Sequence, residues 1–196
     1  KFLNNKKIAI SGKSGSGKTT MIDLLTGLLQ PSSGSILIDS KNLISIKKEW
    51  QNLIGYVPQT VYFLNESLKK NIAFELDDEK IDDEKVKFII KKTQLTELVD
   101  RMKDGINTNI GDKGSNLSGG EKQRIGIARC LYRDPKIIIM DEATASLDSD
   151  TERLVLTETL NNLSQNRLII LISHKKDLIE EFCDEIILID NGKIIS

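Results

Sequence analysis

The sequence has few of the residues that staple a fold from outside. Its two cysteines, Cys130 and Cys183, stand far apart with no Cys-x-x-Cys pattern. That excludes a disulfide framework or a cysteine metal site and reads as two reduced thiols of a cytosolic protein. Long apolar runs are also lacking. The longest, at 137–140 and 168–172, are strand-sized and far short of the ~20 residues a membrane helix needs, so no stretch is expected to span a bilayer. Nor is there a surplus of one charge: 28 Lys and Arg stand against 29 Asp and Glu, a net charge of −1. Composition therefore carries no basic footprint, and no nucleic-acid partner is expected. No internal repeat or low-complexity tract is visible. The chain starts at Lys1 with neither an initiator methionine nor a signal peptide and runs almost directly into an apolar strand-like segment. We expect a piece of something longer. Its 196 residues suit one domain with room for a subdomain, and a core that folds without staples.

What is present begins at residues 11–20. The apolar run Ile8-Ala9-Ile10 leads into Gly12-Lys13-Ser14-Gly15-Ser16-Gly17-Lys18-Thr19-Thr20, and an apolar helical pattern follows from Met21. Glycines at this spacing let successive backbone N–H groups turn inward around an anion, and the helix N-terminus behind them adds unpaired N–H groups and a favourable dipole. This is a phosphate-binding loop. Lys18 would reach the β- and γ-phosphates, Thr19 would coordinate a bridging Mg²⁺, and Thr20 would add a donor to the α-phosphate. An incidental glycine-serine turn would require neither the strand before it nor the helix after it.

Along the chain, Pro31-Ser32-Ser33-Gly34 is a turn, 35–39 alternates like an edge strand, and 53–57 reads as a strand ended by Pro58, which delivers Gln59 at its tip. From about 66 to 133 the periodicity turns helical, with short helices around 86–90 and 95–99 and charged runs at 77–80 and 82–85 that read as solvated caps. After that come a strand at 136–140, a helix at about 150–163, a strand at 167–172, a helix near 175–181 and a strand at 184–190. Asn191-Gly192 then signals a hairpin. Alternating strands and helices imply an α/β fold with a mainly parallel sheet and a ligand at the strands' carboxyl ends. The helical stretch reads as a subdomain inserted between 1–65 and 134–196.

Two further places carry chemistry. The run Ile137-Ile138-Ile139-Met140 ends in Asp141-Glu142. In a phosphate-loop enzyme the first such carboxylate holds Mg²⁺, usually through water, and the second can polarise an attacking water. The other is Leu117-Ser118-Gly119-Gly120-Glu121 at the head of a helix whose apolar positions are Ile125, Ala128, Leu131 and Tyr132. Ser118 and Glu121 have the spacing of a capping box, so an anion site and an ordinary well-capped helix are equally open on the pattern alone.

These motifs together resemble the nucleotide-binding domain of the ATP-binding cassette (ABC) ATPases. Residues 12–19 are similar to the Walker A motif, Gln59 to the Q-loop, 117–121 to the signature motif, and 137–142 to the Walker B motif with its catalytic glutamate. Residues 145–148 resemble the D-loop and His174, the only histidine, the H-loop. The match is ordered and covers nearly the whole chain. It implies a phosphate-loop core with an inserted helical signature subdomain, and ATP with Mg²⁺ as ligands. Two such domains would pack head to tail, each ATP lying between the loop of one and the signature of the other. On this resemblance Ser118, Gly119 and Gly120 serve the partner's γ-phosphate, and Asp148 communicates across the interface. Gln59 touches Mg²⁺ or its waters, and His174 fixes the γ-phosphate. Catalysis would rest on Glu142, His174, Gln59 and Lys18, and metal binding on Thr19, Gln59 and Asp141.

The segment 108–114 before the signature resembles the X-loop of exporter-type cassettes, and 56–64 with 67–74 is also exporter-like, closest to flippases of lipid-linked glycans or lipid exporters. That implies a transmembrane domain fused upstream and a place on the cytoplasmic face of a membrane. A soluble ABC ATPase acting as a regulatory or nucleic-acid-associated module is the alternative, and a small phosphate-loop kinase would leave the signature unexplained. Two departures stand out. Glu121 replaces the commoner glutamine, and the aromatic residue that stacks on adenine should lie upstream of this chain, since Phe2 is too close to the loop. Weakened nucleotide affinity and a reduced flanking antiparallel sheet are expected.

Overall fold

The structure, a computed structural model, describes residues 5–162 and 166–195. Its centre is a six-stranded sheet in the order β4-β5-β6-β1-β7-β8. The strands are β1 (Lys7–Ser11), β4 (Ile54–Val57), β5 (Ile137–Asp141), β6 (Leu168–Ile172), β7 (Glu185–Asp190) and β8 (Lys193–Ile194). All neighbours run parallel except β7 and β8, which form the hairpin turned at Asn191-Gly192.

The sheet is covered on both faces, and strand alternation shows it. Ile138 and Met140 of β5, with Ile169 and Leu171 of β6, enter one apolar cluster. Ile137 and Ile139, with Leu168, Ile170 and Ile172, enter a second. A side-chain period of two sends successive residues to opposite faces, which is why these strands are continuous apolar runs. The second cluster is closed by Ile22 of α1 (Lys18–Leu25), with Met21, Leu25 and Trp50. Trp50 lies on α2 (Lys47–Asn52), a helix the sequence pattern does not reveal because six residues are too few to show a period. Its role is local: the Trp50 indole N–H donates to the Leu25 carbonyl at 2.7 Å and Gln51 Nε2 to the Thr26 carbonyl at 3.1 Å, satisfying the end of α1.

The first cluster is larger. It receives α3 (Leu68–Ala73), α4 (Asp83–Lys92), α5 (Thr96–Asp100) and α6 (Gly119–Tyr132) from the 66–133 stretch, and α7 (Ser149–Leu156) and α8 (Lys176–Phe182) from beyond it. One apolar body thus runs from the helices of 66–133 into β4, β5 and β6. Burial of each such Ile or Leu is worth about 1.5–3 kcal/mol. Cys130 lies inside this cluster and Cys183 at its margin, and burial pushes their thiols up to about 12 and about 11. At neutral pH both are protonated and inert.

The segment at 35–39, expected as an edge strand, pairs only over β2 (Leu37–Ile38) with β3 (Lys41–Asn42), in a two-stranded sheet of its own. Asp39 and Ser40 take φ 47° and 68°, the two left-handed residues of a tight hairpin turn. The helix expected at 150–163 begins as α7 and continues as a π-helical stretch over Thr157–Asn162; residue 163 lies outside the described residues. Among the described residues no helix is long and apolar enough to cross a membrane.

Candidate active site

The sheet order, which is not the chain order, assembles the site. In register across the carboxyl edge, Val57 lies opposite Met140, Asp141 opposite Ile172, and Ile172 opposite Ile10. The residues just beyond these positions are Gln59 after β4, Glu142 after β5, His174 after β6 and Gly12 after β1. They sit along one edge in that order. The loop and the two carboxylates are two strand spacings apart, roughly 10 Å.

The loop is built as a cradle. Gly12 has φ 157°, and a Cβ there would lie 2.2 Å from the Ile189 carbonyl oxygen, so only glycine lets β7 approach this closely. The hairpin after β7 braces the other side, Gly192 N–H donating to the Ser16 carbonyl at 2.8 Å. Gly17, at φ 106°, is the N-cap of α1 and has no side chain to satisfy the first N–H groups. The Ser16 hydroxyl is buried without a partner. Lys18, also buried, turns its Nζ back onto the Gly12 and Lys13 carbonyls at 2.8 and 3.0 Å. Lys13, Ser14, Gly15, Thr19 and Thr20 are open to solvent. Unpaired N–H groups, an orphaned hydroxyl and a folded-back ammonium are what a polyphosphate would satisfy.

At the end of β5 each carboxylate is held by neighbours. Glu142 Oε2 accepts from Gln59 Nε2 at 2.7 Å, and His174 Nε2 lies 2.9 Å from its Oε1. Glu142 itself stands at φ 48°, a left-handed conformation that costs about 1–3 kcal/mol in a non-glycine residue and persists where surrounding bonds impose it. Here its N–H donates to the Ile172 carbonyl at 3.1 Å, and its carbonyl accepts from Ala145 N–H at 3.1 Å. The Tyr56 hydroxyl donates to Asp141 Oδ2 at 2.9 Å. Burial, then the bond to Asp141, pushes the phenol well above its ordinary pKa, so it stays a donor and leaves the other Asp141 oxygen free.

The 118–121 turn is finished differently. Ser118 Oγ accepts from Glu121 N–H at 3.3 Å and Glu121 Oε2 accepts from Ser118 N–H at 2.8 Å, a complete capping box at the head of α6. Arg101 pairs with the other Glu121 oxygen. Ser118 and Gly119 are exposed. The nearest neighbours of Gly119 and Gly120 are Ser146 and Leu147 of the same chain, not the phosphate loop. Asp148 is exposed as the N-cap of α7, and the Thr151 N–H it accepts at 3.0 Å holds its carboxyl below the usual range. So the structure brings Gln59, Asp141, Glu142, His174 and the loop to one edge, and places Ser118, Gly119 and Asp148, exposed, with a half-buried Gly120, at the heads of α6 and α7. Sequence inspection missed Tyr56, Arg101 and Gln123, whose partners lie far along the chain; for Tyr56 alone, the i+3 spacing to Gln59 at a strand tip is a usable signal.

A family model described as "ABC transporter" matches residues 1–145. The chain belongs to the ABC transporter family. What it supplies is that family's ATPase domain: it is 40% identical over 190 residues to an ATP-dependent lipid A-core flippase of Ralstonia nicotianae, covering 96% of this chain and 32% of that protein. It is 38% identical to the ABC transporter ATM1 of Toxoplasma gondii, covering 96% of this chain and 16% of that one. A solved bacterial Atm1-family ABC exporter with ATP bound superposes over 100% of this chain and 34% of its own, with a TM-score of 0.91 and 32% identity. This ABC ATPase domain thus spans about a third of the length of the flippase and of the solved exporter. ATP binding follows from family and fold. The donor set also fits Mg²⁺: an exposed Thr19 hydroxyl at the second residue of α1 and an Asp141 oxygen that Tyr56 leaves free, both hard oxygen ligands.

Proposed function

We propose that this domain hydrolyses ATP in a composite site and drives an exporter-type transporter. One half of the site is the loop 12–20 with the 141–142, Gln59 and His174 edge. The other half is the Ser118–Gly120 turn of a second copy packed head to tail. The observation that carries this reading is the Glu142 carboxylate, placed in line along the sheet edge from the loop and held by Gln59 and His174 on separate oxygens.

In the reaction, Lys18 leaves its two carbonyls and binds the β- and γ-phosphates, while the N–H groups of 12–20 enclose them. Thr19 and Asp141 would hold Mg²⁺, and Gln59 would touch the metal or its waters. The metal, when bound, neutralises charge on the phosphate oxygens. Glu142 accepts a hydrogen bond from the attacking water and orients it, since phosphoryl transfer needs positioning and charge neutralisation more than covalent help. His174 holds the carboxylate and the γ-phosphate in register. Ser118, Gly119 and Gly120 of the second copy close the γ-phosphate side, and Asp148 lies at the junction.

Coupling to transport would run through the 66–133 helical subdomain, set between the core segments 1–65 and 134–196. A groove of about 560 Å³ lined by Gln59, Tyr62, Phe63, Asp112, Lys113 and Ser146 runs from Gln59 to the exposed Asp112 and Lys113 of the 108–114 segment. It suits a helix of a transmembrane domain, fused upstream on the same polypeptide, with this domain on the cytoplasmic face. The name of the lipid A-core flippase supports a lipid or lipid-linked glycan as cargo. The test is Glu142→Gln with ATP: turnover should fall by about 10²–10³, and an ATP-bound dimer should appear by size exclusion. A variant that stays monomeric with ATP would refute the composite site.

A further inference from the structure

Gln123 is a buried side chain that ties the head of α6 to the turn carrying Glu142. It lies just past the first helical turn, 5% exposed, and both ends of its amide are used. Nε2 donates to the Glu142 carbonyl at 3.3 Å, and Oε1 accepts from Ser146 N–H at 2.7 Å. These two backbone groups bracket the turn in which Glu142 is held at φ 48°. The contact is tightened by the glycines: a Cβ on Gly119 would lie 3.3 Å from Ser146 Cβ, and one on Gly120 would lie 3.1 Å from Leu147 Cδ2. With so little slack, displacement of the helix head is transmitted to the peptide on which the carboxylate stands.

We propose that Gln123 is a positioning residue that couples the two ATP sites of the working dimer. The proposal rests on the head-to-tail reading above, in which Ser118 and Gly120 face ATP held by the second copy while Glu142 faces ATP held by its own loop. The path from Ser118 through Gln123 to Glu142 runs inside one chain and joins two different sites. Engagement of ATP by the helix head at one site sets the carboxylate at the other. Gln123 touches neither nucleotide; it acts through the Glu142 backbone.

The test uses the full-length protein and two variants. Gln123→Met removes donor and acceptor at similar length. Gln123→Glu is isosteric, keeps the acceptor for Ser146 and loses the donor to Glu142, so it also serves if the first variant does not fold. The wild type should hydrolyse ATP with a Hill coefficient above 1. Both variants should lose about tenfold to hundredfold in kcat, keep KM for ATP within about twofold, and show a Hill coefficient falling toward 1. Combined with Glu142→Gln, each should still retain ATP through a desalting column, because Ser118 and Gly120 are intact. A wild-type Hill coefficient of 1, variants with unchanged kcat and Hill coefficient, or a raised KM with loss of retained ATP would each overturn the link. If Glu142→Gln alone retains no ATP, the composite site fails and the link with it. If it does retain ATP while the Gln123 variants behave as wild type, only the link fails.

Discussion

Two helices of this domain start at glycine-rich turns, α1 after 12–17 and α6 at 118–120, and they are finished in opposite ways. The head of α1 is left open: a glycine N-cap, an unpartnered buried Ser16 hydroxyl and a lysine folded onto its own loop. The head of α6 is closed by a capping box and a guanidinium. An open helix start gains from an anion, whereas a closed one forms without it. In the proposed function the first holds nucleotide in each chain alone, and the second is a preformed surface offered to nucleotide held elsewhere. Capping does not disable it. As an N-cap the Ser118 oxygen accepts, so the hydroxyl keeps its proton to donate, and the N–H groups of the first turn have no acceptor within the helix. The difference also explains Arg101. In the same proposed reading Glu121 puts a carboxylate where the second copy's phosphate would approach, and the Arg101 guanidinium paired with it would offset that charge.

The comparison breaks most sharply at Lys18. Lys18→Ala removes the one ammonium buried in the open loop, so ATP binding by the domain should be lost and turnover should fall by about 10²–10³. Both are read by nucleotide titration and phosphate release; retained binding would mean that the backbone cradle suffices. On the closed side, Ser118→Ala should leave ATP affinity of the dilute domain unchanged while lowering turnover in the dimer by about tenfold or more. Loss of the cap should lower stability by about 0.5–2 kcal/mol. A weakened affinity in dilute solution would place Ser118 in the same half-site as Lys18. A smaller effect separates the charge from the cap. Arg101→Leu should reduce turnover severalfold by exposing the Glu121 charge, and adding Glu121→Gln should restore most of it, since glutamine keeps the side-chain acceptor without the charge. Absence of recovery would assign Arg101 a purely packing role.

The smallest expected effect is on acid stability. Burial raises the Glu121 pKa, but the bonds from Ser118 and the Arg101 pair outweigh it and leave the carboxyl below its usual range. A group depressed in the folded state contributes stability above its unfolded pKa and loses it as pH falls through the folded one. The domain should therefore lose stability as pH drops below about 4.3, and Glu121→Gln should flatten that part of the acid limb in a melting series. An identical limb in both proteins would remove Glu121 from the account.

Much of the site was legible without coordinates because it is encoded in short stretches. The glycines and lysine of 12–18 dictate a backbone shape over seven consecutive residues, the apolar runs of β5 and β6 announce strands buried on two faces, and Ser118 and Glu121 stand at the spacing a capping box requires. Chain order, however, does not state strand order. That β4, β5, β6 and β1 lie side by side, bringing Gln59, Glu142, His174 and the loop to one edge, was decided by long-range pairing and by the packing of helices on both faces. The same holds for the left-handed Glu142, and for the partners Tyr56 and Asp141, 85 positions apart, and Gln123 and Ser146, 23 apart. Local geometry can be written in adjacent residues because sterics act between neighbours; which distant backbone a side chain reaches depends on how the whole core closes.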